Sequence, residues 1–216
     1  CPWAGQCAFE CLDTAGRNVM HSAMKARVAR TMLFKLDPYL FISLLLHEII
    51  AFTIENKILG FQTSIRLNGL SDVQWQNIIN FHVLEGDHID KAGIKWLNFH
   101  DYTKNIHMQL IEGYHLTYSI NETTSPKVLK SLLDKGITSC LVVAAKTKNP
   151  NHAQFVKEFM LLHGLTYKGL QLDPDMLFDA DETDLRFLDE PSKVGLLTAK
   201  GAALKDKTSG FVHILR

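Results

Sequence analysis

The stretch Tyr114-His-Leu-Thr-Tyr-Ser-Ile120, followed by Ser125-Pro126 and, beyond Gly136, by Thr138-Ser-Cys-Leu-Val-Val-Ala144, reads as strand, helix and strand in turn. Ser125 before Pro126 is a helix start, since serine caps and proline suits the first helical position. Gly136 is a helix stop. The run Thr138–Ala144 is short, β-branched and apolar, as a strand covered on both faces should be. Working outward, the same unit recurs. Downstream, a helix is predicted over about Asn151–His163, ended by Gly164, then a weaker strand Thr166–Leu172 and a clear one at Lys193–Thr198. Upstream, Lys95–His100 is a strand followed by a short helix over about Asn105–Glu112, and Thr63–Leu67 is a strand followed by a helix over about Asp72–Val83. Strands alternating with helices imply βαβ units and a parallel sheet with right-handed crossovers. The expected fold is therefore α/β, a partial (β/α) barrel of about six mostly parallel strands with surrounding helices. At 216 residues the chain suits a single domain, 1–216.

Two helices are predicted ahead of that alternation. Ser22–Lys35 carries Lys25, Arg27 and Arg30 on a solvated face. Asp37 and Pro38 then start a long apolar helix running to Leu59 before Gly60, expected to be a buried core helix. His47 and Glu48 interrupt it, so no run reaches the ~20 apolar residues that span a bilayer, and no membrane is expected. Hydrophobic residues make up 46% and charged ones 21%, enough for a core, and net charge is zero, which argues against a nonspecific polyanion binder. A glycine-rich dinucleotide fingerprint, a P-loop, a nucleophile elbow and an internal repeat are absent from the sequence.

Three of the four cysteines, Cys1, Cys7 and Cys11, fall in the N-terminal cysteine loop 1–17. Thiolates so close together can converge on a soft metal or an iron–sulfur cluster, and a disulfide plus a spare thiol is the competing arrangement. Zinc held by these cysteines, with His21 as a further ligand, would stabilise the loop without chemistry. Cys140, inside a strand, reads as a small buried hydrophobe. A reducing compartment suits this cysteine usage. Ligands of α/β folds gather at the carboxyl ends of strands. Those ends offer Arg66, Asn68 and Asp72; Asp101, Tyr102, Lys104 and Asn105; Ser119, Asn121 and Glu122; Lys146 and Lys148; and Lys200. Several ammonium groups at one rim suit a small anionic ligand, a carboxylate or phosphate. The acidic stretch Asp173–Glu190 fails the EF-hand spacing and reads as a solvated loop over the sheet end.

Several segments resemble a bacteriophage family known as gene product eighty-eight. They are Cys1–Cys7 with Cys11–Arg17, Lys25–Thr31, Ile65–Asp72, Asp101–Lys104, Tyr114–Ser119, Asp184–Asp189 and Leu197–Gly201. The resemblance runs nearly end to end. It implies a protein of the host-cell cytoplasm, and a further N-terminal segment whose strand, the first of the sheet, is missing before Cys1. The order of cysteine loop, helix and repeated strand–helix units is also similar, at fold level, to radical S-adenosylmethionine enzymes, with a wider cysteine spacing than theirs. That likeness implies a [4Fe–4S] cluster on Cys1, Cys7 and Cys11 carrying S-adenosylmethionine, and an enzyme acting on a small molecule, nucleotide or peptide. Asn68 and Gly69 would then lie by the methionine amino group, Ser119 and Asn121 by the ribose, and Lys146 and Lys200 by a carboxylate or substrate. The alternative is a non-catalytic, zinc-stabilised phage protein that binds a host protein or nucleic acid.

Overall fold

In the computed structural model, which describes residues 3–9, 11, 16–145, 150–206 and 208–215, the chain opens with two helices that share one residue of connection. α1 runs over His21–Leu36 and α2 over Pro38–Ile58. Asp37 leaves helical geometry (φ −143°, ψ 81°), which ends α1, and its side chain accepts the Leu40 N–H at 2.9 Å, which starts α2. Phe34 and Phe41, on either side of this break, meet edge to face at 5.1 Å, and Phe41 stacks on Trp75 at 6.4 Å. The pair thereby packs onto the rest of the fold.

The strands that follow are β1 (Thr63–Ile65), β2 (Leu97–Thr103), β3 (His115–Ser119), β4 (Ser139–Ala145), β5 (Leu165–Tyr167), β6 (Leu170–Leu172), β7 (Leu177–Asp179), β8 (Val194–Thr198) and β9 (His213–Leu215). Between them lie α3 (Phe81–Gly86), α4 (Pro126–Asp134) and α5 (Pro150–His163). One sheet has the order β1-β2-β3-β4-β8-β7 with every pairing parallel, and β9 pairs in parallel with β4. This is the expected α/β arrangement of mostly parallel strands flanked by helices. The sheet does not close into a barrel. Ser139 pairs with both Tyr118 and Val194, and Val143 with both Thr198 and His213. It follows that β3 and β9 occupy the same edge of β4, β3 at its start and β9 at its end.

Alternation along the strands separates two faces. Leu97 and Phe99 of β2, Leu116 and Tyr118 of β3, Leu141 of β4 and Leu196 of β8 share the outer face, and all are buried. Leu129, Leu132 and Leu133 of α4 and Val156 and Met160 of α5 pack there. Ile49 of α2 packs on its β2–β3 end. As read from sequence, Ser125 caps α4, accepting the Val128 N–H at 3.2 Å. The opposite, inner face is lined by His100 and Tyr102, by His115, Thr117 and Ser119, and by Cys140 and Gly195.

Four expectations are corrected. Only one side of α2 is buried, so it is not a core helix: Ile49 and Thr53 are covered while Leu44, Ile54 and Ile58 are exposed. The helix expected over 72–83 is a 3-10 turn (Trp75–Asn77) and the short α3, because the Asn68 side chain bonds Ser71, Val73 and Trp75 and holds that segment in a loop. The helix expected over 105–112 does not form. The Asn105 side chain accepts the His107 N–H at 2.9 Å, the local bond by which asparagine competes with a helix. The weak strand over 166–172 is the antiparallel β5–β6 hairpin, turned by Lys168 and Gly169 at φ 47° and 89°. β7 and β9 are additions to the predicted set.

Leu196, with no exposed surface, tests the outer-face core. Leu196→Ala is expected to lower unfolding free energy by about 2–5 kcal/mol in a urea titration. Leu162→Ala, at a side chain 72% exposed on α5, is expected to change it by less than about 0.5 kcal/mol.

Candidate functional site

The residues singled out at strand ends divide by what their side chains hold. After β1, the Asn68 side-chain oxygen accepts from Ser71 Oγ, the Val73 N–H and Trp75 Nε1, and its amide nitrogen donates to the Val73 carbonyl. It rivets its own loop, and Gly69 beside it is exposed. The same loop is tied to β2 by Asp101, a carboxylate without exposed surface. Asp101 accepts the backbone N–H groups of Leu67 and Asn68 and the Tyr114 hydroxyl, with Arg66 Nε at 3.7 Å. Burial raises its pKa to about 6 against the lowering effect of Tyr114, Asn68, Arg66 and Leu67.

After β3, Ser119 is half-buried, and the Asn121 side chain accepts the N–H groups of Thr123 and Thr124 at 3.1 Å each, the turn that leads into α4. Glu122 reaches the N-terminal loop, accepting the Gln6 N–H at 2.7 Å. A Cβ at Gly5 would lie 2.0 Å from the Glu122 carboxylate, so a larger residue there would make that side chain shift. The cysteine loop is thus anchored at the carboxyl end of β3. Cys7 is buried there among Ala144, Ala199, Ala203, Phe211 and Val212. Cys11 is half-buried and lines a small cleft with Arg27, Val28 and Met32 of α1 and with Leu70. Cys7 and Cys11 therefore face different neighbours, and Cys1 lies outside the described residues. Among the described residues no group of three His, Cys, Asp or Glu side chains could hold a metal ion. His21 is exposed at the start of α1.

Lys146 and Lys148 also lie outside the described residues. Lys200 pairs with Asp181 at 3.2 Å. Lys157, its side chain 2% exposed, bridges Asp179 at 2.7 Å and Asp181 at 3.1 Å. Burial would raise the Asp181 pKa, but bonds from Thr198, Lys157 and Lys200 outweigh it and bring it to about 2. The acidic stretch is thus not simply a solvated loop. Asp179 and Asp181 neutralise a buried lysine, and Arg186 within it has no exposed surface.

That arginine belongs to a set of which reading the strand ends named only Arg66 and Tyr102. The turn Arg186–Leu188 lies over the inner face of β2 and β3. Phe187 meets the His100 ring edge to face at 5.7 Å. The Arg186 guanidinium sits 5.6 Å from the Phe178 ring and pairs with Asp189 at 3.3 Å. Gly195 makes room, since a Cβ there would meet the Phe178 ring at 2.6 Å. On the β1 side, the Arg66 guanidinium lies over the Tyr102 ring at 4.6 Å. Arg66 Nε, His100 Nδ1, Tyr102 Oη, His115 Nε2, Thr117 Oγ1 and Arg186 Nε are all buried atoms without a hydrogen-bond partner among the described residues. Each orphaned group of this kind costs about 1–3 kcal/mol unless water or a ligand meets it. Burial and then the Arg66 charge push the His100 pKa down to about 4; burial and the Arg186 charge lower that of His115. Both imidazoles are neutral at pH 7. Burial also raises the Cys140 thiol to about 12, so it stays protonated.

A cleft of about 380 Å³ opens at the amino ends of β2–β4, away from the cysteine loop, with His115, Phe187, Asn98 and the 2.7 Å Lys95–Glu85 pair in its wall. It shares His115 and Phe187 with the polar inner face. The signal in the sequence was the alternation inside each strand, with His100 and Tyr102 on one parity of β2 and His115, Thr117 and Ser119 on one parity of β3.

Among known protein families, the model of the family described as Gene product 88 matches residues 1–213. No curated protein and no solved structure matches the chain.

The depressed His100 pKa carries a sign for stability. A histidine neutral when folded favours the fold fully above its unfolded pKa of about 6.5, and that advantage is lost as pH falls towards about 4. Asp101, raised to about 6, opposes this by gaining a proton on folding below that pH. Urea titrations of His100→Asn are expected to show less loss of stability between pH 7 and pH 5 than the unaltered protein, by roughly 2 kcal/mol.

Proposed function

The chain belongs to the Gene product 88 family, and on that premise we propose that it binds a small anionic molecule, a carboxylate or phosphate, on the polar inner face of its sheet and moves protons on it through His100 and His115. The observation that supports this is the pair of guanidiniums, Arg66 half-buried and Arg186 buried, whose buried Nε atoms lack hydrogen-bond partners beside a tyrosine hydroxyl and two imidazole nitrogens that also lack them. Guanidinium groups match carboxylate and phosphate oxygens in a fixed fork. An anion between them would offset their charge, raise the proton affinity of both imidazoles and so make them able to donate as well as accept a proton. As a protein of a phage family it would do this in the host cell.

A second reading has its own support, the anchoring of the cysteine loop by Glu122 at the carboxyl rim of the sheet. In that reading Cys1, Cys7 and Cys11 hold a [4Fe–4S] cluster with S-adenosylmethionine, and Asn68, Gly69, Ser119, Asn121, Lys146 and Lys200 serve the positions the fold likeness gave them. Zinc on the same cysteines, in a non-catalytic protein that grips a host protein or nucleic acid, is the remaining alternative.

Thermal unfolding with inorganic phosphate and with succinate, each against chloride at equal ionic strength, tests the anion site. At least one probe is expected to raise the midpoint by several degrees, and Arg66→Gln to weaken that probe by about tenfold or more. No shift with either probe, or an unchanged shift in Arg66→Gln, overturns the proposal. Iron, sulfide and zinc analysis of anaerobically prepared protein decides the cysteine loop separately: a brown, iron-bearing protein favours the cluster, zinc alone the structural site.

A further inference from the structure

The outer side of α2 carries a pattern the anion site does not use. Leu40, Leu44, His47, Ala51, Ile54 and Ile58 are all exposed, Leu40 and Leu44 at 47%, Ile54 at 51% and Ile58 at 80%. The steps between them alternate four and three residues, the 3.5-residue period of a coiled-coil seam. The other side of the same helix, through Phe41, Leu45 and Ile49, packs against Trp75 and the core of β2 and β3. A helix apolar on both sides requires two partners, and the described residues supply one.

The spacing also says what the second partner is. Read backwards, four-three-four-three-four is unchanged, so the seam is complementary to itself in the antiparallel sense. Set about Ile49, it places Leu40 opposite Ile58 of a second copy, Leu44 opposite Ile54 and His47 opposite Ala51. The one polar position meets the smallest side chain, which leaves room for an imidazole. α1, which packs on α2, carries Lys25, Arg27, Arg30 and Lys35 and no acidic residue, while α2 exposes Glu48, Glu55 and Lys57. The acids of a second α2 would complement the basic helix of its partner. A lipid surface fits less well, since His47 and Glu48 stand at the middle of the helix, where burial in hydrocarbon is most costly.

We propose that two copies of this chain pair through α2 as an antiparallel, two-fold coiled coil. Sedimentation equilibrium of the unaltered protein, together with Leu44→Glu and Ile54→Glu, tests the seam. Both variants sit at exposed positions, so an unchanged circular dichroism spectrum shows that the fold survives. A dimer is expected for the unaltered protein, with dissociation strengthened by about tenfold or more in each variant. A monomer throughout, or a dimer that both variants leave intact, overturns the proposal. Register is read separately by mixing His47→Cys and Ala51→Cys chains under mild oxidation. A disulfide joining position 47 to position 51, located by peptide mapping, supports antiparallel pairing; links of 47 to 47 and 51 to 51 overturn it. Binding of monomeric protein to anionic phosphatidylserine vesicles, lost in Leu44→Glu, would assign the seam to lipid instead and likewise overturn it.

Discussion

A single buried carboxylate fixes the geometry of the first half of the sheet. Asp101 has no exposed surface, yet it accepts two backbone N–H groups from the loop after β1 and a hydroxyl from Tyr114 at the entrance to β3. The bonds join three successive segments at one point. They also hold Asn68 where its side chain can close the following loop. Arg66, on the same loop, is thereby held over the Tyr102 ring on the inner face. A charge in this position is unfavourable by itself, and only the convergence of donors makes it tolerable. The outer face carries the aliphatic and aromatic core, and Asp101 is the place where that face is exchanged for precise loop geometry.

The parallel α/β order was legible because β2, β3, β4 and β8 are long or apolar enough to stand out from the helices between them. β7 and β9 were not. Each has three residues, and Leu177-Phe178-Asp179 lies inside an acidic run that resembles a solvated loop. The two helices that failed to form were expected from composition. Asn68 and Asn105 override composition there with side-chain bonds to the following backbone. In α2 the fault was different. Its apolar run fixed a helix, but hydrophobicity alone does not state which side the same chain will cover.

Site reading failed and succeeded for related reasons. The rule that ligands gather at strand ends directed attention to rim residues, and at Asn68 and Asn121 those residues close their own turns. The unpartnered imidazoles and hydroxyls lie deeper, in the strand interiors, where polar residues recur at every second position. Arg186 could not have been joined to them from sequence, because its neighbours on the sheet are dozens of residues earlier in the chain. Glu122 was legible as a rim residue, whereas its hold on Gln6 was not, since nothing in a sequence announces a contact across 116 positions.

That last contact has a kinetic side. Gln6 bonds Glu122, and a Cβ at Gly210 would come within van der Waals distance of the same side chain. β9 meanwhile seats itself on an edge of β4 that β3 has already partly taken. Such contacts close very long loops, and that entropy is recovered only after the intervening strand–helix units have docked. The carboxyl rim is accordingly expected to be the last region to assemble. A chain slowed or halted before that stage would hold a finished outer core and an unsealed edge of β4, open to pairing with another strand.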